Sequence, residues 1–350
     1  MRNILSFFVL AVLAVILSIV ASPTTSPWKF NSLGSSSPSA SDNNPFFRED
    51  FYSDSCPGVE TAIRSIVIEL FMNDSTIAPA LIRLVFHDCF IQGCDGSVLL
   101  NSTDGGAAEK DVIPNQSLKG FDVVEEIKSR LEAICPNTVS CSDILVLAAR
   151  DCVYLSGGPF YRLRTGRKDS LTSFPNDALD QIPAPSDDLD TILQKFSGRG
   201  FSTSETVSLL GAHSIGRVHC DFITDRLHDF NGTNQADPRI ETGFLTMMQA
   251  KCAADPANFI DLKKEGAQDI GFGTHYFQSL VQNYTVLLSD HELLNSEKTA
   301  SWVRAYASNQ LLFTNDFSNA MIKLSELGVL TGPQSAGEIR RTCSATLDNV

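Results

Sequence analysis

Hydrophobic positions recur with a helical period along most of this chain. In the segment 58–74, Ile63, Ile66, Val67 and Leu70 fall on one stripe, as they do in an amphipathic helix. The same type of pattern predicts helices in seven further segments: 77–90, 120–135, 140–158, 186–201, 204–216, 239–252 and 313–328. Alternation of the kind that predicts strands is sparse. The sequence therefore predicts an all-α protein with short turns and little β structure beyond a small hairpin.

Capping residues predict where two of these helices begin or end. The segment 140–158 finishes at Gly157-Gly158, and the segment 186–201 opens on Ser186 and stops at a glycine. Serine is favoured just before a helix and glycine just after it. We therefore expect Ser186 to be an N-cap.

The N-terminal region has the pattern of a secretory signal. Arg2 precedes an apolar run from Ile4 to Val20, and small residues follow it. This predicts a cleaved signal peptide over residues 1–22, although the run is also just long enough for a membrane anchor. Residues 23–48 are rich in Ser, Pro, Asn and Thr and predict a mobile leader. Residues 49–350 predict one compact domain, with no stable membrane association once the signal is removed.

Charge and cysteine content limit the classes of function. The formal net charge of −14 argues against nucleic-acid binding, which depends on a basic face. It is compatible with small neutral substrates and with calcium. Nine cysteines in a secreted chain predict disulfides with one thiol left over. A zinc site is not favoured, because the sequence contains no C-x-x-C pair. Five Asn-x-Ser/Thr sequons, one of them at Asn115, are typical of a glycoprotein.

The stretch "RLVFHDCFIQGCDGS", residues 83–97, concentrates reactive side chains. On a helix, Arg83 and His87 share one face and could deprotonate a small hydroxyl compound and stabilise its negative charge. The alternative is an exposed arginine beside a core histidine. Cys89 and Cys94 could form a disulfide that closes a loop whose oxygens suit calcium. The loop does not have the residue spacing of an EF-hand. A cysteine nucleophile is less favoured, since a clasped sulfur is not a thiolate.

A second histidine motif is "LLGAHSIGRVHC", residues 209–220. His213 follows Gly211 and Ala212, whose small size would let a large flat group approach. The alternative is a histidine with a structural role only.

Together these two motifs resemble the signatures of plant secretory (class III) haem peroxidases. Further matches follow in the family's order: "FYSDSCP" at 51, "PNQSLKGFDVVEEIK" at 114, "CSDILVLAARD" at 141, "GRKDS" at 166 and "SDHEL" at 289. The resemblance extends from about residue 50 to Cys343. It implies an all-α haem peroxidase fold with haem b between a distal and a proximal helical half.

The resemblance also implies a role for individual residues. His213 would bind the haem iron, and Asp290 would hold the other nitrogen of its ring. His87 would take a proton from peroxide and return it to the leaving oxygen, while Arg83 would stabilise the polarised O–O bond. Asn115 would keep His87 an acceptor, which makes Asn115 a poor glycosylation site, and the Pro183 carbonyl would receive a phenol.

Calcium ligands and disulfides are implied in the same way. The distal calcium would be held by Asp88, Asp95, Ser97 and the carbonyls of Ile91 and Gly93, with Glu109 linked to the site. The implied disulfides are Cys56–Cys135, Cys89–Cys94, Cys141–Cys343 and Cys220–Cys252, and Cys152 would be a buried free thiol.

The chain departs from the family pattern at the second, proximal calcium site. Ser214 and Asp261 would contribute to this site, but Gly273 stands where the family usually has an aspartate. Asp269 could replace the missing carboxylate. We expect one tightly held calcium, with the second weak or absent.

The resulting expectation is a monomeric, secreted peroxidase that reduces hydrogen peroxide and oxidises small phenols by one-electron steps. It would act in the apoplast or cell wall, with the vacuole as the alternative. One rival hypothesis is a secreted calcium-binding cell-wall protein that keeps the fold without turnover. Another is a cysteine hydrolase with a free thiol near His87.

Overall fold

The computed structural model describes residues 44–103, 105–255, 257–262 and 271–349. These residues belong to one compact unit, 43–350. The predicted signal peptide, the leader up to residue 43 and Asp269 lie outside the described residues. Within the described ranges, no helix combines the length and the hydropathy needed to cross a membrane.

Helices make up most of the described structure, which confirms the predicted all-α class. Thirteen α-helices occur in the described residues: α1 Val59–Asn73, α2 Ile77–Cys89, α3 Phe121–Ile134, α4 Cys141–Leu155, α5 Pro175–Gln181, α6 Leu189–Gly198, α7 Thr203–Leu210, α8 Thr224–His228, α9 Thr242–Ala254, α10 His275–Val281, α11 Leu288–Glu292, α12 Glu297–Ser308 and α13 Gln310–Ser325. Two short strands, β1 Arg217–His219 and β2 Phe259–Asp261, pair antiparallel with Val218 opposite Ile260. They join distant segments and are not a local hairpin.

The helix ends follow from capping chemistry, with one correction. α4 starts after Ser140, whose side chain accepts a hydrogen bond from the Asp143 N–H, and it ends before Gly157, which adopts a φ of 89° that glycine tolerates. The predicted cap at Ser186 is wrong. Asp188 caps α6 by accepting the Thr191 N–H at 2.8 Å, because a cap must directly precede the first turn.

Helix α4 forms the centre of the fold, and it is buried over nearly its whole length. Helices α1, α2 and α3 all pack against it, so burial of their apolar stripes holds them in place. The packing of α2 on α4 buries Leu81, Leu84 and Val85. Arg83 and His87 are then directed to the other side of α2, where they line a cleft.

A buried ion pair joins three distant segments of the chain. The Arg167 guanidinium lies 2.6 Å from the Asp143 carboxylate, and both side chains are fully buried. Asp143 also accepts the hydroxyl of Tyr52 at 2.6 Å and the Gly166 N–H at 2.7 Å. A buried charge pair stabilises a fold only when its remaining hydrogen bonds are satisfied, and here they are.

The packed body begins before residue 49, where the sequence predicts the start of the compact domain. Phe47 is buried, and the Arg167 guanidinium lies 4.9 Å from the centre of its ring. Arg48 and Thr165 exchange two backbone hydrogen bonds of 3.1 and 3.0 Å. Residues 44–48 are therefore attached to the body.

All four implied disulfides are present: Cys56–Cys135, Cys89–Cys94, Cys141–Cys343 and Cys220–Cys252. Cys152 is unbonded and buried within α4, and burial raises the pKa of its thiol. A sulfur in a disulfide is not a nucleophile, and a buried thiol of raised pKa is inert. The cysteine-hydrolase hypothesis therefore loses its nucleophile.

Candidate active site

A large cleft of about 1790 Å³ opens among the helices of this unit. Arg83, Phe86 and His87 of α2 line one part of it, and Ala212 and His213 line another. Both histidine motifs found in the sequence therefore open onto the same space.

The distal histidine is fixed in one tautomer by Asn115. The His87 Nδ1 atom lies 2.6 Å from the Asn115 Oδ1 atom, and the Asn115 amide nitrogen donates to the Glu109 carbonyl at 2.8 Å. The amide therefore turns its oxygen towards the ring, so Nδ1 carries the proton and Nε2 is the acceptor. Burial and the nearby Arg83 charge lower the pKa of His87 to about 3, which keeps the imidazole neutral and leaves Nε2 free to accept a proton.

Arg83 is anchored by the loop that carries Asn115. It donates to the Ser117 hydroxyl at 3.0 Å and to the Pro114 carbonyl at 2.9 Å. The side chain is exposed and lines the cleft, and partial withdrawal from water lowers its pKa from 12.5 to about 10. Arg83 stays cationic at neutral pH, next to a neutral base.

The proximal histidine is held by a carboxylate on a different helix. His213 Nδ1 lies 2.8 Å from Asp290 Oδ1, and the same oxygen accepts the Tyr276 hydroxyl at 2.8 Å. Burial alone would lower the pKa of His213, but the Asp290 carboxylate raises it above its usual value. With Nδ1–H donated to Asp290, Nε2 remains as a metal-binding atom, and the one-third of the side chain that is exposed belongs to the cleft lining.

The small residues before His213 have two different roles. A Cβ atom at Gly211 would lie 2.4 Å from the Phe313 ring, so Gly211 is required by packing against α13. Ala212 lines the cleft. The expectation that both residues make room for a ligand is therefore correct only for Ala212.

The predicted distal calcium residues surround a buried acidic loop. Asp88 accepts the Gly96 N–H at 3.0 Å, and Asp95 accepts the Ser97 N–H at 3.0 Å. Burial raises the pKa of Asp88, Asp95 and Glu109, the last to about 7. Among the described residues, the Ser97 hydroxyl and Glu109 Oε2 have no hydrogen-bond partner. Such a concentration of buried oxygens is suited to a hard cation.

The loop is shaped to bring these oxygens together. Gly93 approaches the turn at Gly328 so closely that a Cβ atom would lie 2.6 Å from its backbone, and the Cys89–Cys94 disulfide closes the loop. In the ranges described, no group of three or more His, Cys, Asp or Glu side chains is arranged to hold a metal. A cation here would therefore need the Ser97 hydroxyl and backbone carbonyls, including those of Ile91 and Gly93, in addition to two carboxylates.

The predicted proximal calcium residues have other partners among the described residues. Ser214 is buried, but its carbonyl lies 2.7 Å from His275 Nε2 and its hydroxyl accepts the Gly273 N–H at 3.3 Å. Asp261 is half exposed, and its carboxylate lies 3.9 Å from the Lys251 ammonium group. That these residues bind calcium weakly or not at all stays a prediction.

Comparison with known proteins decides between the hypotheses for the whole cleft. The peroxidase family profile matches residues 63–309. The chain is 43% identical to Peroxidase 25 and 41% identical to Peroxidase 28, both of Arabidopsis thaliana, and 42% identical to Peroxidase N1 of Nicotiana tabacum. These alignments cover 84–85% of this chain and 90–91% of the relatives. The chain belongs to the peroxidase family. It is an enzyme related to plant peroxidases, and the family implies a haem cofactor, hydrogen peroxide and small donor substrates.

The cleft of this peroxidase fits a haem. Its volume of about 1790 Å³ exceeds the ~300–1,000 Å³ of an ordinary small-molecule pocket. His213 has the tautomer that an axial ligand needs, and the opposite histidine is neutral. Phe86 adds an apolar wall, stacked on Phe90 and Phe196 at 4.7 and 5.8 Å between ring centres.

Three residues of the site were not predicted. Ser117 anchors Arg83, Tyr276 donates to Asp290, and His275 contacts Ser214. Tyr276 and His275 occur in the segment "FGTHYF" that departs from the family pattern, and this departure was the only signal in the sequence. Ser117 lies in a loop without periodicity, so no pattern could identify it.

Proposed function

We propose that this peroxidase is secreted, binds haem b between His213 and His87, and reduces hydrogen peroxide to water while it oxidises phenolic donors by one-electron steps. The observation that carries the proposal is the pair of histidines on one cleft, each fixed at Nδ1 by a buried partner. His87 would be the neutral base, and His213, hydrogen-bonded to the Asp290 carboxylate, would be the iron ligand. Peroxide cleavage at an iron centre requires both groups.

The residues divide the work of peroxide reduction. When bound, haem supplies the redox iron that accepts peroxide and then takes electrons one at a time from the donor. The Nε2 atom of His87 accepts a proton from one peroxide oxygen and returns it to the other, which leaves as water. Asn115 holds the tautomer that makes this transfer work, and the Arg83 cation stabilises the negative charge that develops on the leaving oxygen.

The mouth of the cleft supports an aromatic donor. Pro183 lies on the cleft wall, and the apolar side chains of Ile113, Leu179 and Phe222 in the same lining are exposed. Exposed apolar surface beside a functional cleft is typical of a binding site. The Pro183 carbonyl would then accept the hydroxyl of a phenol whose ring rests on this surface.

Four disulfides support a secreted enzyme, because such bonds persist in oxidising compartments. We propose the apoplast or cell wall as its location, with the vacuole as the alternative, and a monomeric state. Net negative charge favours small substrates over nucleic acid as partners.

The direct test is oxidation of guaiacol by the purified, haem-loaded protein with hydrogen peroxide. We expect turnover that requires both peroxide and donor, with one peroxide consumed for every two donor radicals. A protein that contains haem but does not oxidise phenols would instead support the rival function, a calcium-binding wall protein without turnover.

We also propose that the loop of Asp88 and Asp95 binds one calcium ion tightly. Asp95→Asn should weaken calcium binding by at least the ~10–100-fold that loss of an outer-shell partner costs a metal site, because it removes one of two charged ligands. Since Asp88 directly follows His87, calcium removal should also slow the reaction with peroxide. The measurements are calcium content after chelator dialysis and the rate of reaction with peroxide.

Asp190→Asn is the matched control, because Asp190 is an exposed acid on α6. It should retain calcium and the full rate. Equal calcium retention in Asp95→Asn and the unmodified protein would contradict this site.

A further inference from the structure

His275 contacts the residue that is predicted to hold a second cation. Its Nε2 atom lies 2.7 Å from the carbonyl oxygen of Ser214, the residue that follows His213. The Ser214 hydroxyl accepts the Gly273 N–H at 3.3 Å. Both oxygens of Ser214 are thus already bonded to protein donors.

Of the described residues predicted for the second calcium site, only Asp261 carries a negative charge. Gly273 has no side chain, and the half-exposed carboxylate of Asp261 is 3.9 Å from the Lys251 ammonium group. Calcium binding requires about six to eight oxygens, including anionic ones. Within the described ranges, these residues offer donors to Ser214 where a calcium site would offer acceptors.

The His275 ring lies next to the position that a side chain at Gly273 would occupy. A Cβ atom at Gly273 would have His275 Nδ1 as its nearest neighbour, at 3.7 Å. The imidazole therefore lies beside the space into which an aspartate at 273 would extend. At this distance a Cβ atom would make ordinary van der Waals contact with the ring, which already bonds to the Ser214 carbonyl.

The first two residues of α10 reach both sides of the proximal histidine. His275 contacts Ser214, and Tyr276 donates to Asp290 at 2.8 Å. Asp290 in turn holds His213 Nδ1. The start of α10 therefore fixes the backbone that follows His213 and the carboxylate that orients its ring.

We propose that His275 is a positioning residue that replaces the second calcium ion: its Nε2–H holds the Ser214 carbonyl and thereby fixes the position of His213. This inference rests on the proposed function, in which His213 is the ligand of the haem iron. It makes the proximal side of this peroxidase independent of calcium, while the distal loop still binds it.

The first test compares His275→Ala with His275→Gln in the haem-loaded protein. Glutamine retains an N–H donor at about the reach of Nε2, whereas alanine has none. We expect the iron–histidine stretching band of the ferrous protein to shift or broaden in His275→Ala and to return in His275→Gln. Haem release should accelerate about two- to tenfold in His275→Ala only, as for the loss of one hydrogen bond.

His228→Ala is the control, because His228 is an exposed histidine on α8 outside the cleft lining. It should leave both readouts unchanged. A native band in His275→Ala, or equal defects in the alanine and glutamine variants, would overturn the proposal. Absence of any iron–histidine band in the unmodified protein would instead count against the proposed function.

The second test restores the cation. The double variant Gly273→Asp/His275→Ala should bind one calcium ion more per chain than the unmodified protein when titrated with calcium chloride, and calcium should restore its iron–histidine band. The unmodified protein should show no proximal response to calcium. Two outcomes would overturn the proposal that His275 replaces the second calcium ion: a second calcium ion in the unmodified protein, or a double variant that gains neither calcium nor the band.

Discussion

His87→Leu is expected to bind haem normally and to react with hydrogen peroxide at least ~10²–10⁴-fold more slowly, the usual worth of a general acid–base catalyst. The loss should lie at the upper end or beyond, because the same Nε2 atom accepts the proton and then returns it. Leucine fills the space in α2 but carries no proton acceptor. Stopped-flow absorbance of the haem-loaded protein after mixing with peroxide measures the rate.

Arg83→Leu is the matched comparison, since it removes the cation one turn away on the same helix face. Its loss should be smaller, because Arg83 stabilises charge without moving the proton. The pH profile adds a further check. Since the pKa of His87 is lowered to about 3, its base form persists in mild acid, and the rate should not decline through this group until the pH approaches 3. An unchanged rate in His87→Leu would rule out this mechanism.

The distal half of the site shows what periodicity alone can predict. The apolar stripe of residues 77–90 predicts a helix, and the four-residue spacing places Arg83 and His87 on one face. The structure confirms both. The partners of these residues, Asn115 and Ser117, lie in a loop, and a loop has no period from which a contact could be inferred. Only the resemblance to peroxidases pointed to Asn115.

In the proximal half of the site, periodicity does not predict the contacts or the short helices. His213 and Asp290 are 77 residues apart, so no local pattern connects them. Asp290 lies on α11, a helix of five residues, which is too short to show a stripe. The helices α5, α8 and α10 have only five to seven residues and were also not predicted. α12 has twelve residues and was missed as well.

At Gly273, the departure from the family pattern is more informative about the second calcium site than the matches elsewhere. Gly273 predicts a weakened calcium site, and this stays a prediction. The structure adds that His275 bonds to the Ser214 carbonyl, an oxygen that a cation would need. A single sequence shows that a carboxylate is missing. It does not show which neighbour takes over its space, because that depends on how the start of α10 packs against Ser214.

The largest effect on the cofactor is expected from His213→Ala, which should weaken haem binding by more than the ~10–100-fold that loss of an outer-shell partner costs a metal site. His213 is the residue whose Nε2 faces a haem-sized cleft while its Nδ1–H is held by Asp290. Alanine removes the iron ligand without crowding, so the fold should persist. Haem content from the absorbance ratio of haem to protein, after gel filtration, measures the loss.

Asp290→Asn tests the role of the Asp290 charge while His213 remains as the iron ligand, because asparagine keeps the size of the carboxylate and removes its charge. It should retain haem but shift the iron–histidine stretching band to lower frequency, since His213 then loses its anionic partner. His219→Ala is the control for histidines near the cleft, because His219 also lies in the cleft lining and should keep full haem content. If His213→Ala retained the haem content and the iron spectrum of the unmodified protein, His213 would not be the ligand, and the roles derived from its bond to Asp290 would fail with it.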